Sequence, residues 1–380
     1  MIIKKSANTF GITADKSTQG MMMTVFLLFY GASCFFAGPL VQRYGPRLVL
    51  GAGLISWAAI MAIMGATSVI MVLLVCRAIL GLGEAVLGPS ISKFVQTWFP
   101  VHERAKANGV WFVGLEVGQI IALPLITWIT VAWGWRSSFY ALTLMGCLPV
   151  IVCMLYGYDS PAKHPRISKE EVEYITGGMQ ETKVQEKTLG TFAFLKLSSF
   201  WYSAVIYAAA NAGFWGFMVW VPTYMKTALG FSFAKTGLLS ALPYLVGTIS
   251  VIVLTPLMDK TNARATFSVA GCLGFAITLF MAMSVTDPVI AVAVLCLANV
   301  FIMPVFPAVF TIVQNITKPT EVANATGVFN GCAYVFASIF PYAMGALYSS
   351  TGNMQNGFYL LASVFALAVL AGIPLVKNRL

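Results

Sequence analysis

Residues 72–85 read VLLVCRAILGLGEA. Two ionisable side chains, Arg77 and Glu84, stand seven positions apart in this otherwise apolar run. In an α-helix that spacing is two turns, about 10 Å of rise, and leaves both side chains on nearly one face. A charge near the centre of a bilayer costs at least ~2.5–3.5 kcal/mol, so two of them on one helix require a wet cavity or buried partners. The stretch therefore reads as a membrane helix bordering a solute pathway.

The rest of the 380-residue chain agrees: 59% of its residues are hydrophobic and 9% charged, the composition of a polytopic membrane protein. Apolar windows long enough to span predict eleven helices, at 20–41, 48–66, 69–94, 108–131, 137–157, 200–224, 234–257, 266–286, 288–313, 324–348 and 356–376. Between the fifth and sixth lies a polar, charged stretch, 159–199, expected to be a partly helical linker. The expected organisation is a first bundle over 1–158, the linker over 159–199, and a six-helix bundle over 200–380.

Charge sets the expected topology. One side of the spans carries Arg43, Arg47, Lys93, Arg104, Lys106, the basic residues of the linker, Lys260, Arg264, Lys318, Lys377 and Arg379. The other carries Lys4, Lys5, Lys16, Arg136, Lys226 and Lys235. The positive-inside rule places the first set, with the linker and the C-terminus, in the cytoplasm. The net charge of +10 is thus a topology signal in short loops and does not point to nucleic acid.

Two landmarks recur. Pro39-Leu40-x-x-Arg43-x-x-x-Arg47 matches Pro256-Leu257-x-x-Lys260-x-x-x-Arg264 at a spacing of 217 (256 − 39), and Gly109-Val110 matches Gly327-Val328 at 218 (327 − 109). Such a repeat is the mark of parallel halves in secondary transporters. Shifting the span at 200–224 back by 217 places its counterpart almost wholly before Met1, so a first helix is expected to be missing from a twelve-helix design. Residues 1–20 have no apolar core of a secretory signal.

Several chemistries find no support. The seven cysteines sit in apolar runs rather than in a disulfide or zinc pattern. There is no Gly-x-x-x-x-Gly-Lys-[Ser/Thr] loop for ATP, and His102 and His164 lie in separate loop regions, so neither an enzyme nor a metal centre is expected.

The loop Gly38-Pro-Leu-Val-Gln-Arg43-Tyr-Gly45-Pro-Arg47 resembles the signature loop of the major facilitator superfamily. Arg77-x-x-x-Gly81-x-Gly83-Glu84-Ala85, Trp98-Phe99-Pro100, Gly134-Trp135-Arg136 and the run from Asp159 to Glu170 resemble its anion:cation symporter branch. The resemblance covers essentially the whole chain. It implies an all-α integral membrane protein of two bundles, importing a small organic anion (a sugar acid, an aldarate or an aromatic carboxylate) by proton symport with alternating access. No cofactor is then needed beyond the proton gradient, and the partners are the anion, protons and the lipid of an inner or plasma membrane around a monomer. The chain departs from the family in two places: Gln42 stands where members carry an acid, although Asp259 keeps one in the second repeat, and the Asp-Arg pair common on the family's first helix is absent.

The resemblance assigns Glu84 as the proton-coupling acid, Tyr30 and Asn330 as cavity contacts, and Gly38, Arg43, Gly45 and Arg47 as the conformational loop. Arg77 is expected to meet a substrate carboxylate or Glu84, its planar guanidinium suiting either; plain packing against a backbone carbonyl is the alternative. Burial favours the neutral form of Glu84 and the cation beside it the ionised form, so its proton occupancy is free to follow the opening of a cavity. Glu116, within Gly114-Leu-Glu-Val-Gly118, is either a cavity acid or part of a glycine-lined packing seam, with Gln119 a weaker candidate on the same helix. Asn211, Trp215 and Trp220 suit a site wall, although Trp near a span end also anchors to the membrane interface. Asn299 and Gln314 carry less information. Prolines 89, 124, 243, 304, 307 and 341 are expected to bend their spans. An exporter of drugs or metabolites with a more apolar site, and a transport-inactive membrane sensor, are the two other readings.

Overall fold

The computed structural model describes residues 16–100, 104–180, 193–261, 263–317 and 322–377. Among them are eleven helical segments long and apolar enough to cross a membrane, each overlapping one of the expected windows. The first half consists of α1 (Lys16–Tyr44), α2 (Pro46–Ala66), α3 (Ile70–Glu84) continued by α4 (Leu87–Trp98), α5 (Arg104–Trp133) and α6 (Trp135–Tyr156). A short helix, α7 (Lys169–Gln180), lies in the linker. The second half contains α8 (Ser198–Thr227), α9 (Phe233–Leu239) with α10 (Leu242–Thr261), α11 (Arg264–Ser284), α12 (Pro288–Ile302) with α13 (Val305–Ile316), α14 (Val322–Ala337) with α15 (Ile339–Thr351), and α16 (Gln355–Lys377).

The sequence repeat is a repeat of helix boundaries. α2 and α11 start and end 218 residues apart (264 − 46; 284 − 66), as do α3 and α12 (288 − 70; 302 − 84) and α4 and α13 (305 − 87; 316 − 98). Even the interruption at Ala85–Val86 returns at Met303–Pro304. Proline explains these breaks: Pro89 cannot donate to the carbonyl four residues back, and its ring crowds that carbonyl. Pro243, Pro307 and Pro341 sit close behind the other interruptions and Pro304 lies within one, whereas Pro124 lies inside an unbroken helix, so it ends no element.

α6 carries an apolar row open on its outer face. Its row Met145, Leu148, Val152 and Leu155 is 52%, 65%, 48% and 62% exposed. In α16, by contrast, Phe365, Ala368, Gly372 and Leu375 are buried. Phe365 lies against Gly213 of α8, and Gly372 faces its Ile206. The second half has a continuous apolar core about α8, with Trp220, Phe275, Phe329 and Phe358 fully buried.

The two halves meet along α1. At Gly20 a Cβ would lie 2.1 Å from the Pro341 carbonyl oxygen, and at Gly31 2.8 Å from the Val335 nitrogen, so α1 runs backbone against backbone with α14 and α15. Thr24 fits into the break that separates those two helices. Its Oγ1 donates to the Ser338 carbonyl and accepts from the Tyr342 N–H at 3.3 Å, supplying partners where the proline-broken ladder has none of its own. A second approach joins α5 to α9, where Thr127 abuts Gly237. Both contacts lie away from the basic loops, and toward those loops Gly38 of α1 has open space around it.

Thr24→Val keeps the shape of the side chain and removes its hydroxyl, leaving Ser338 and Tyr342 unpartnered at the seam. We expect it to destabilise the detergent-solubilised protein by about 1–3 kcal/mol in thermal unfolding, with Thr24→Ser close to wild type. Equal stability of the Val and Ser variants would refute this role.

Candidate functional site

Helix α3 places its two charges through one glycine. Gly81 lies one turn from Arg77 and just under one turn from Glu84, and a Cβ there would fall 2.4 Å from the Phe26 carbonyl oxygen and 2.8 Å from the Tyr30 nitrogen. α1 and α3 therefore touch through backbone at this level, which brings Tyr30 beside the charged pair. Arg77 and Glu84 are half-buried and interact electrostatically, and the Trp57 side chain hydrogen-bonds Glu84. The Nε of Arg77 is buried without a hydrogen-bond partner. Desolvated guanidinium donors of this kind suit an oxyanion.

The second half supplies the facing wall. Tyr207, Asn211 and Trp215 follow one another at four-residue intervals on α8, and Asn330 and Tyr334 do so on α14, so each set shares a face. Tyr207 donates from its hydroxyl to Asn330 Oδ1 at 2.9 Å, leaving the Asn330 amide N–H₂ to donate elsewhere. The Tyr30 and Tyr334 rings meet at 4.5 Å across the seam between the halves. The Tyr334 hydroxyl interacts with those of Tyr30 and Tyr207, and Glu84 acts electrostatically on both Tyr30 and Tyr334. Trp215 reaches across to Phe26, with ring centroids 6.2 Å apart. The cluster thus joins an acid, a cation, three phenols and an amide from both halves.

This arrangement gathers some expected residues and not others. Arg77, Glu84, Tyr30 and Asn330 come together; Tyr334, Tyr207 and Trp57 were not foreseen, although a tyrosine one turn beyond Asn330 on the same face was a usable signal. Gln119 is half-buried on α5, and the Glu116 side chain lies outside the described residues. Of the two readings of Glu116, the glycine seam gains no support: among the described residues nothing lies within 4 Å of a Cβ at Gly114 or Gly118. Asn211 is spent locally, donating to the Tyr207 carbonyl at 2.9 Å, and Asn299 likewise donates to the Leu295 carbonyl at 3.3 Å. Trp220 is no interface anchor, being fully buried and donating to the Pro341 carbonyl at 3.1 Å. The Gln314 side chain lies outside the described residues.

The signature loop divides in two. Gly45, at φ 81°, makes the tight turn between α1 and α2 in a backbone region that favours glycine, and the Asp159 carboxylate packs where a Cβ would stand. That carboxylate accepts from the Arg47 backbone N–H at 2.8 Å, capping the start of α2 from outside, while the Arg47 guanidinium donates to the Met154 carbonyl. Gly38 and Arg43 take no part in this lock: Gly38 has open space around it and Arg43 is exposed over the Tyr44 ring. The side chains of Gln42 and Asp259 lie outside the described residues.

A cavity of about 450 Å³ lies elsewhere, at the basic end of the first half, lined by Trp98, Tyr158, His164 and Ile175 among others. His164 packs edge-on against Trp98 and Tyr158, a structural place for a loop histidine. Among the described residues no group of three His, Cys, Asp or Glu is placed to hold a metal.

Residues 2–341 match the family model described as the Major Facilitator Superfamily. The chain is 28% identical over 294 residues to the chloroplastic ascorbate transporter of Arabidopsis thaliana, covering 75% of this chain and 54% of that protein, so it spans about half of that relative's length. It is 24% identical over 369 residues to the probable L-galactonate transporter of Escherichia coli (94% and 81% covered) and 28% identical over 364 residues to human sialin (92% and 73%). A crystal structure of a bacterial homolog of the human lysosomal transporter Spinster, inward-facing and occupied, superposes over 100% of this chain and 92% of its own, with a TM-score of 0.76 at 14% identity.

The backbone contact at Gly81 makes a clear expectation. Gly81→Ala forces α1 away from α3 and should cost about 1–3 kcal/mol in thermal unfolding. Gly88→Ala, at a helical glycine with nothing within 4 Å, should be neutral or slightly stabilising. Equal effects of the two substitutions would show that the α1–α3 approach does not limit the site.

Proposed function

The chain belongs to the Major Facilitator Superfamily, is a membrane transporter and no enzyme, and we propose on that basis that it is a secondary active carrier importing a small organic anion together with protons. The observation that carries this reading is the Arg77–Glu84 pair, half-buried at the seam between halves, with a guanidinium donor lacking a protein acceptor. A fixed cation in a low-dielectric site selects anions, and an acid beside it supplies a place for the coupled proton. Names of the relatives point the same way, since they include transporters for ascorbate, L-galactonate, hexuronate and sulfoacetate. The substrate class proposed is a sugar acid, an aldarate or an aromatic carboxylate.

In the proposed cycle Glu84 takes up a proton from outside while the anion docks on Arg77, Tyr30 and the Asn330 amide. The bundles 1–158 and 200–380 then rock about the site, joined by the linker 159–199. By the charge asymmetry of the loops, the linker and C-terminus face the cytoplasm of a cell expressing the carrier in its inner or plasma membrane. In this cycle the α1–α15 and α5–α9 contacts belong to the outer gate. The Gly45–Arg47–Asp159 lock keeps the first bundle rigid at its cytoplasmic end, so that it moves as one body. A monomer suffices for this cycle.

Glu84→Gln mimics the protonated acid and cannot release a proton. In proteoliposomes it should abolish accumulation driven by a pH gradient and leave counterflow exchange of the anion within about 3-fold of wild type, since exchange needs no net proton movement. Unchanged accumulation in this variant removes Glu84 from coupling. Net flux outward against the gradient identifies an exporter in its place.

A further inference from the structure

Trp215 differs from the two other tryptophans on its helix, of which Trp201 donates its indole N–H to the Leu195 carbonyl at 2.8 Å. Trp220 satisfies its indole N–H on the Pro341 carbonyl, as a buried tryptophan ordinarily does. The Nε1 of Trp215 is equally removed from solvent and has no hydrogen-bond partner. Its ring is held by Phe214 at 5.2 Å, Phe26 at 6.2 Å and Tyr334 at 6.3 Å, so it packs onto the first half's core from the second half. On α8 it shares the face of Tyr207, whose hydroxyl orients the Asn330 amide. Arg77 Nε is the matching unpartnered donor on the first half.

An apolar tail placed against that indole would leave its N–H desolvated and unpaired, a penalty that a site built around a hydrogen-bond donor imposes on ligands lacking the acceptor. We infer that Trp215 is a specificity-determining residue: its N–H binds an oxygen on the part of the substrate away from the carboxylate held by Arg77, so that the carrier prefers hydroxylated acids over their deoxygenated analogues. The inference rests on the anion-carrier reading above. It adds a contact from the second half, so a ligand long enough to reach both donors links the two bundles.

The test is binding to the purified full chain of a small aldonate set (D-gluconate, D-galactonate and L-galactonate) and of hexanoate, an acid of the same carbon number without hydroxyls. Trp215→Phe keeps the ring contacts and removes the donor. It should weaken the best-bound aldonate by about 10-fold or more and change hexanoate by less than about 2-fold. Equal weakening of both acids reduces Trp215 to packing, and no weakening of the aldonate removes it from the site; either result overturns the inference. If the Phe variant does not fold, replacing the indole N–H by sulfur in a benzothienylalanine at position 215 preserves the shape and makes the same comparison. Arg77→Gln separates the two readings, since it should weaken aldonate and hexanoate alike. Hexanoate and aldonate binding both unaffected by Arg77→Gln sinks the carrier reading itself, whereas their loss there with no selective effect at Trp215 sinks only the present inference.

Discussion

An arginine and a glutamate in the middle of a membrane helix have to find their solvation inside the protein, and most of what is distinctive in this chain follows from how that is done. Arg77 and Glu84 lie half-buried beside a cluster of phenols, an indole and an amide, with α3 pressed onto α1 at Gly81 so that the polar groups of both helices share one place. Polar side chains of this sort replace bulk water poorly one at a time but effectively as a set, because each phenol both donates and accepts.

The repeat makes the asymmetry of that arrangement plain. The positions 218 residues after Arg77 and Glu84 are Leu295 and Ile302, both buried and apolar. Conversely Tyr334 of the second half corresponds to Glu116 of the first (334 − 116 = 218). Two halves with the same helix boundaries have thus diverged in their chemistry: fixed charge is concentrated in the first, and aromatic and amide hydrogen bonding in the second. A cluster assembled from both exists only when the halves are apposed.

The same economy governs the backbone. Prolines break the α-helical ladder at Ala85–Val86, Ser240–Ala241, Met303–Pro304 and Ser338, and inside a membrane each freed carbonyl or N–H needs a partner. At Ser338 the partners come from elsewhere: Thr24 of the first half bonds Ser338 and Tyr342, and Trp220 donates to Pro341. A helix break that is completed by the opposite half ties the local conformation of α14 and α15 to the contact between halves.

Spans, repeat and charged pair were legible in the linear sequence because each rests on a property of the chain itself. Hydropathy over about 20 residues marks a helix that can span, a constant offset of 217 to 218 marks a duplicated unit, and a charge amid apolar residues is costly wherever the fold puts it. The partners of those charges were not legible. Tyr334, Tyr207 and Trp57 are unremarkable aromatics in apolar helices until the packing of α1 against α14, and of α3 against α1, brings them together. Gly114 and Gly118 allowed a packing seam as one reading, yet among the described residues nothing approaches them within 4 Å, since a small residue permits close approach without compelling it. Asn211 and Asn299 read as polar site candidates and turn out to bond their own helix, a choice made by rotamer and neighbour rather than by residue type. Local periodicity and transfer energy determined which segments cross the membrane and which residues could not be left unsolvated; only tertiary packing decided what solvates them, because those partners lie as many as 304 positions away (334 − 30), beyond the reach of any pattern along the chain.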